Sequence, residues 1–420
     1  MGVFRHLGPI LSFTTLSIGA TLLGTGPSRA AAASAPGRSH KDHASQPAHQ
    51  QKPADESDKG LFPDALQIPG TEIFVKFGGY AKVDFIQDLD PIGNESQFKT
   101  DTIPVDGTPE ADQDGKTTIQ ARETRFNVDF RTERQGTKLR AFFEGDFYGD
   151  GDSFRMRHAY GEAGRLLGGQ TWTTFMDISV RPLTIDYEGP DGELFVRQAM
   201  IRYTQPLSAR WTWAIAVEDP SPQFVVPGTL AGSPRSEVPD VPTYFRYAAE
   251  RGHVQLAAIA RQIRFDGTQG SPDLDEIGWG VSGTFRFKVY EKDELMGQLA
   301  HGEGIGRYVE SMIGQNVDAL ITPANELRTI PLTATVIGYI HHWSDALRSG
   351  ISYAIADLDD DPLLPTTTIA RTEDLRLNLI HSPIPLLDYG VEVLHGRREN
   401  QDDASGDAWR VQFAMTVHFN

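Results

Sequence analysis

The sequence predicts an all-β protein: a transmembrane antiparallel β-barrel of about 16 strands, with its third long loop folded inward. Three observations predict it. Apolar and polar residues alternate along segment after segment. Short turns and long polar connections alternate between those segments. Beyond the N-terminal region, no run of ~18 apolar residues is available for a helical span.

Composition fits this class. The chain has 420 residues, of which 23% are charged, and a mean hydropathy of -0.35. A barrel tolerates that polarity because only every second residue of a strand meets lipid. The formal charge is -18, and without a basic stripe it excludes nucleic acid as a partner. Cysteine is absent, so neither disulfide nor thiolate chemistry is available, as suits an exported chain.

The N-terminus reads as a secretory signal peptide over residues 1–33. Arg5 supplies the basic start, Ile10 to Leu23 the apolar stretch, and Ala30 to Ala33 the small-residue cleavage site. The stretch is short for a helical anchor. Residues 34–68 are rich in Ala, Ser, His, Gln, Pro, Lys and Asp. They lack the apolar content for a core and read as a disordered periplasmic linker. His40, His43 and His49 belong to that solvated tail rather than to a metal site. Residues 69–420 form the barrel domain.

Side chains on a strand alternate faces with period two. Phe77, Ala81, Val83 and Phe85 share one face, and Lys76, Tyr80, Lys82 and Asp84 the other. Phe126, Val128 and Phe130 oppose Arg125, Asp129 and Arg131. Leu139, Ala141, Phe143 and Phe147 oppose Arg140, Glu144 and Asp146. Trp211, Trp213, Ile215 and Val217 oppose Thr212 and Glu218, and Trp279, Val281, Phe285 and Phe287 oppose Ser282, Thr284 and Arg286. Leu332, Val336 and Ile340 oppose Thr333, Thr335, Tyr339 and His341. Leu375, Leu377 and Leu379 oppose Arg376 and Asn378, and Tyr389, Val391 and Val393 oppose Asp388 and Glu392. The last strand is the cleanest: Trp409, Val411, Phe413, Met415, Val417 and Phe419 face one way, Arg410, Gln412, Thr416 and His418 the other. Further strands are expected near 154–163, 193–204 and 242–249. In each case the apolar face is assigned to lipid and the polar face to water inside. A soluble sandwich would instead bury its apolar face. Arg, Asp and Glu on nearly every polar face and aromatics toward strand ends favour the barrel.

Residues 173–192 form the third long loop. Phe175, Met176, Ile178, Leu183 and Tyr187 make it too apolar for a free surface loop. It is expected to fold back into the barrel as a constriction, with Asp177, Arg181, Asp186 and Glu188 facing the eyelet. The competing possibility is packing on a neighbouring subunit. The expected substrate path comprises Arg125, Arg140, Arg155, Arg157, Arg181 and Arg202. Guanidinium is permanently charged and matches a carboxylate in a two-point fork. Such groups in a narrow wet tube attract small anions. Asp129, Glu144, Asp146 and Glu218 share those faces, and arginine–carboxylate ladders also brace walls. No nucleophile–base–acid set or metal-ligand spacing stands out, so no enzyme, metal or cofactor is expected. His341 and His342 are adjacent on a strand and point to opposite faces.

Arg155-Met-Arg-His-Ala-Tyr-Gly-Glu162, followed by Leu167-Gly-Gly-Gln-Thr-Trp172 and Phe175-Met-Asp177, resembles the DcaP-like family of Gram-negative outer-membrane porins. Tyr80 to Asp84, Glu123 to Phe126, Glu144 to Phe147, Arg197-Gln198 and Ile201 to Tyr203 add to the likeness, which is densest over 71–204. The resemblance implies a homotrimer of 16-stranded barrels in outer-membrane lipid. It also implies passive diffusion of small anionic solutes, dicarboxylates in particular. A sugar-type or general porin is the alternative within transport; an outer-membrane barrel enzyme or an adhesive protein is the alternative outside it. Two departures stand out. Residues 34–68 lack the heptads of a coiled-coil extension, and Phe419 is followed by Asn420 where such barrels end on Phe.

Overall fold

The computed structural model describes residues 65–419, so the expected signal peptide and nearly all of the expected linker lie outside the described residues. Sixteen strands form the wall. They are β1 (Phe74–Asp88), β2 (Arg125–Arg134), β3 (Thr137–Asp146), β4 (Arg155–Ala163), β5 (Leu166–Trp172), β6 (Arg197–Pro206), β7 (Trp211–Glu218) and β8 (Val241–Ala249). After these come β9 (Gly252–Gly267), β10 (Leu274–Tyr290), β11 (Asp293–Glu303), β12 (Pro331–His342), β13 (Leu347–Leu358), β14 (Ile369–Ile384), β15 (Leu387–Asn400) and β16 (Ser405–Phe419). Each pairs antiparallel with the next. β16 returns to β1, with Gly79 opposite Phe419 and Asp88 opposite Arg410. Closure satisfies every ladder within the sheet and leaves no open edge to lipid. All three strands expected near 154–163, 193–204 and 242–249 are present as β4, β6 and β8.

Short pieces extend the wall. Thr117–Gln120 pairs with the far half of β1 as a broken continuation of β2. Gly232–Arg235 pairs with β9 beyond β8. Leu66–Gln67, on the linker side of the expected boundary, already pairs with Phe74 and Val75.

One rim carries tight turns. At Gln135–Gly136 both residues have positive φ, 51° and 75°, the backbone that matches the twist of a two-residue hairpin. The other rim carries the long connections. The wall faces follow the alternation on most strands. Phe77, Phe85, Phe143, Trp279, Leu377, Phe413 and Val417 are exposed outward, whereas Lys82, Asp84, Glu144, Arg376, Arg410 and Gln412 are buried inside.

β12 is the exception. Leu332, Val336 and Ile340, assigned above to lipid, are 0%, 3% and 4% exposed and point inward, while Ile337 is 42% exposed on the outside. The physical reason is the barrel's contents. The third connection (173–196) and the sixth (304–330) both fold into the lumen. Phe175, Leu194, Ile305, Tyr308, Val309 and Met312 pack there against Ile259, Ala300, Leu332 and Ala334 of the wall. An inner face that meets protein instead of water is apolar. The two connections are tied directly, with the Phe195 amide donating to the Tyr308 carbonyl at 2.9 Å.

Candidate functional site

The third connection crosses the lumen and is held at both ends. At its start, Glu218 of β7 accepts from the Thr173 hydroxyl at 2.6 Å and the Thr174 amide at 2.7 Å. Asp177 then accepts from His253 at 2.8 Å and Thr284 at 2.9 Å and pairs with Arg246. Burial alone would raise the Asp177 carboxyl; the His253 bond and the Arg246 charge outweigh it and hold the group well below the usual range.

The middle of the loop lies against glycines of the wall. A Cβ on Gly338 of β12 would meet Pro182 at 2.8 Å, and one on Gly390 of β15 would meet Ile185 at 2.5 Å. Only a residue without a side chain lets the loop approach that closely. Asn378 of β14 donates to the Leu183 carbonyl at 2.7 Å, Lys82 of β1 to the Ile185 carbonyl at 2.6 Å. Glu392 of β15 accepts the amides of Ile185 and Asp186 at 3.0 and 2.7 Å.

The second half of the loop is acidic and is joined to the first long connection. Asp186 accepts the Phe98 amide at 3.1 Å and faces Arg376 at 3.6 Å and Arg410 at 3.4 Å. Glu188 accepts from Gln97 at 2.7 Å and pairs with Lys99 at 2.5 Å. Arg181 donates to the carbonyls of Tyr187 and Glu188 at 3.0 and 2.7 Å and lies 3.3 Å from Glu193, so it staples the two halves together. Glu193 is fully enclosed, and burial pushes its carboxyl up to about 8 despite the neighbouring Arg181.

The expectation for the acidic residues therefore needs correction. Asp177, Asp186 and Glu188 are 2%, 2% and 5% exposed and serve to fasten the loop. A carboxylate buried in a crowded tube must find cations and amides; Asp177 and Asp186 take the wall's Arg246, Arg376 and Arg410, and Glu188 takes Gln97 and Lys99 of the first long connection. Only Asp186 keeps an edge on a cavity.

That cavity, about 120 Å³, lies between the loop and the β2–β4 wall, bordered by Arg125, Glu144, Arg157, Trp172, Arg181 and Tyr187. A second, of about 100 Å³, lies on the other side of Leu183 and Thr184, against Lys82, Arg348, Asp388 and His418. Arg155 and Arg157 both reach Asp146, at 3.0 and 2.8 Å, and Arg157 also reaches Glu144 at 3.1 Å. Arg125 lies 3.7 Å from Glu144. Arg197 sits over the rings of Trp172 and Phe195, at 4.8 and 6.0 Å, and its Nη1 has no hydrogen-bond partner among the described residues. Four guanidiniums here face Glu144 and Asp146; Glu123 and Asp186 also border the cavity but are paired with other cations, Glu123 with Lys82 and Asp186 with Arg376 and Arg410.

Of the arginines read from the sequence, Arg125, Arg155, Arg157 and Arg181 converge on this place. Arg140 and Arg202 do not. Arg140 pairs with Asp129 at 3.0 Å and stacks on Phe142 and Tyr160 toward the tight-turn rim. Arg202 is opposite Leu167, near the same rim, and forms no ion pair among the described residues. Arg197 was missed because strict alternation from Ile201 puts it on the lipid face. At the junction of β6 with the loop that alternation fails. The signal available was the aromatic pair Trp172 and Phe195 flanking it, 4.6 Å apart. His341 is engaged with Asp293 at 2.7 Å.

A family model described as DcaP outer membrane protein matches residues 51–419. No curated protein matches the sequence. Among solved structures, the outer membrane channel DcaP of Acinetobacter baumannii has a TM-score of 0.73 at 22% identity, covering 83% of this chain and 97% of that one. OmpT, an outer membrane protein of Vibrio cholerae, has a TM-score of 0.51 at 12% identity over 85% and 100% of the two chains. OmpF of Salmonella typhi, in complex with daunomycin, has a TM-score of 0.53 at 10% identity over 84% and 100%. At these identities the structural likeness speaks to the fold.

Proposed function

The chain belongs to the DcaP outer membrane protein family, and from that premise we propose that it is a passive diffusion porin for small anions, dicarboxylates above all. The observation that carries this reading is the charge imbalance beside the loop: Arg125, Arg155, Arg157 and Arg197 against Glu144 and Asp146. An excess of cationic side chains beside a loop that crosses a water-filled tube draws anions in and repels cations. Arg155 keeps a side chain 36% exposed to the lumen, so a solute can reach the cluster. Binding there is weak enough for release because each guanidinium already has protein partners.

In this reading the exposed apolar belt sits in outer-membrane lipid, the tight turns face the periplasm, and three copies assemble as a homotrimer. A sugar-type porin is the second reading, favoured by the aromatic pairs Trp172–Phe195 and Tyr148–Tyr187, with centroids 4.6 and 4.2 Å apart. Against it, guanidiniums already lie over these rings, and a sugar needs a bare ring face. Swelling of liposomes containing the purified protein separates the two. Succinate should permeate faster than a neutral sugar of similar size. Equal or reversed rates would favour the general or sugar-type reading.

A further inference from the structure

Tyr187 holds an unusual place. Its hydroxyl receives N–H groups from Arg155, at 2.7 Å, and from Arg157, and donates to Asp146 at 3.2 Å. Arg197 approaches the same tyrosine. Its ring stacks on Tyr148, 4.2 Å between centroids and inclined by 33°, and lies beneath the guanidiniums of Arg155 and Arg157 at 5.8 and 5.4 Å. The phenol oxygen thus occupies the convergence point of the arginine cluster, on the edge of the 120 Å³ cavity. It is the acceptor a solute carboxylate would replace.

We infer that Tyr187 is a displaceable latch: a neutral oxygen that occupies the arginine cluster at rest and yields to a carboxylate of the passing solute. This rests on the anion-porin reading above. A carboxylate is the stronger acceptor, since charge-assisted hydrogen bonds are about twice as strong as neutral ones. Tyr187 belongs to a loop, so its hydroxyl can withdraw without breaking any strand pairing. The latch has two effects. It keeps Arg155 and Arg157 satisfied when no solute is present, which avoids an orphaned donor on the buried Arg157. It also weakens net solute binding by the bond that must be given up, which speeds release. A second carboxylate on the same solute can reach Arg125 or the unpartnered Nη1 of Arg197, so dianions compete better than monoanions. Tyr187 is in this sense a specificity-determining residue.

The test is single-channel recording of the purified full-length protein in planar bilayers, reading the duration of current blockades by succinate and by acetate. Tyr187→Phe keeps the ring on Tyr148 and removes only the hydroxyl. Succinate blockades should lengthen about fivefold, the equivalent of one neutral hydrogen bond, and acetate blockades should lengthen less. Tyr187→Met, apolar and without a hydroxyl, should do the same if the phenylalanine variant assembles poorly. Unchanged or shortened succinate blockades in an assembled variant overturn the latch. Failure of both variants to assemble also overturns it, because Tyr187 is then a structural tether. If the wild-type channel shows no succinate blockades but Tyr187→Phe gains them, the latch stands and the native selectivity reading falls. Absence of blockades in both removes the two together.

Discussion

Arg410 of the closing strand lies 3.4 Å from Asp186 of the loop that crosses the lumen. The same guanidinium forks onto Asp88 of β1, at 2.6 Å through Nε and 3.2 Å through Nη2, and donates to the Asn94 carbonyl at 3.0 Å. One fully buried side chain thus joins the barrel seam, the first long connection and the third. Truncating one partner of a buried ion pair leaves an uncompensated charge, at a cost of about 3–5 kcal/mol.

Arg410→Met should therefore lower the temperature at which the detergent-folded barrel unfolds and add fluctuations to the open-channel current. Gel mobility after heating and current noise are the measurements. A variant with wild-type noise and unfolding temperature would show that Arg376, 3.6 Å from Asp186, holds the loop alone.

The inward face of β12 gives a second expectation. With Ile337→Cys, a thiol probe confined to the lipid phase should react, because Ile337 is 42% exposed outside. With Val336→Cys, 3% exposed at the parent residue, it should not react in the folded barrel. Reaction at Val336→Cys would restore the assignment that simple alternation gives.

That strand also marks where the sequence stops being readable. Period-two patterning located the strands, the closure and the lipid belt, because lipid demands an apolar face wherever β1, β10, β14, β15 or β16 meets it. It could not orient β12, whose two faces both meet apolar surroundings. The loop was legible from Phe175, Met176, Leu183 and Tyr187, apolar where a free loop would be polar. Its acids were misjudged because their partners, such as Lys99, Arg246 and Arg410, lie far away in sequence. The sixth connection carries the same apolar signal in Ile305, Tyr308, Val309 and Met312, and its inward course could have been read from it.

Protonation supplies a third expectation. Burial holds the Glu193 carboxyl at about 8, above the ordinary carboxylic range, so the packed loop retains a proton that an opened loop releases. Asp191 and Glu310 are pushed up in the same direction, by burial first and by Asp374 and Glu188 second. Below about pH 4.5 both states are protonated and the packing is undisturbed. Loop packing should weaken as pH rises from there toward about 8 and level off beyond. Current fluctuations should rise across that window, and Glu193→Gln should flatten the rise. Fluctuations that grow on acidification would contradict the assignment.

The most direct test of the proposed function is the reversal potential of the purified channel across a salt gradient, for wild type and for the Arg155→Gln/Arg157→Gln double variant. Wild type should prefer anions. The double variant, with Asp146 stripped of both arginines and Glu144 left with Arg125 alone, should shift clearly toward cations, and the difference should shrink at high salt as screening tightens. A cation-preferring wild type, or an assembled double variant whose reversal potential matches wild type, would contradict the account.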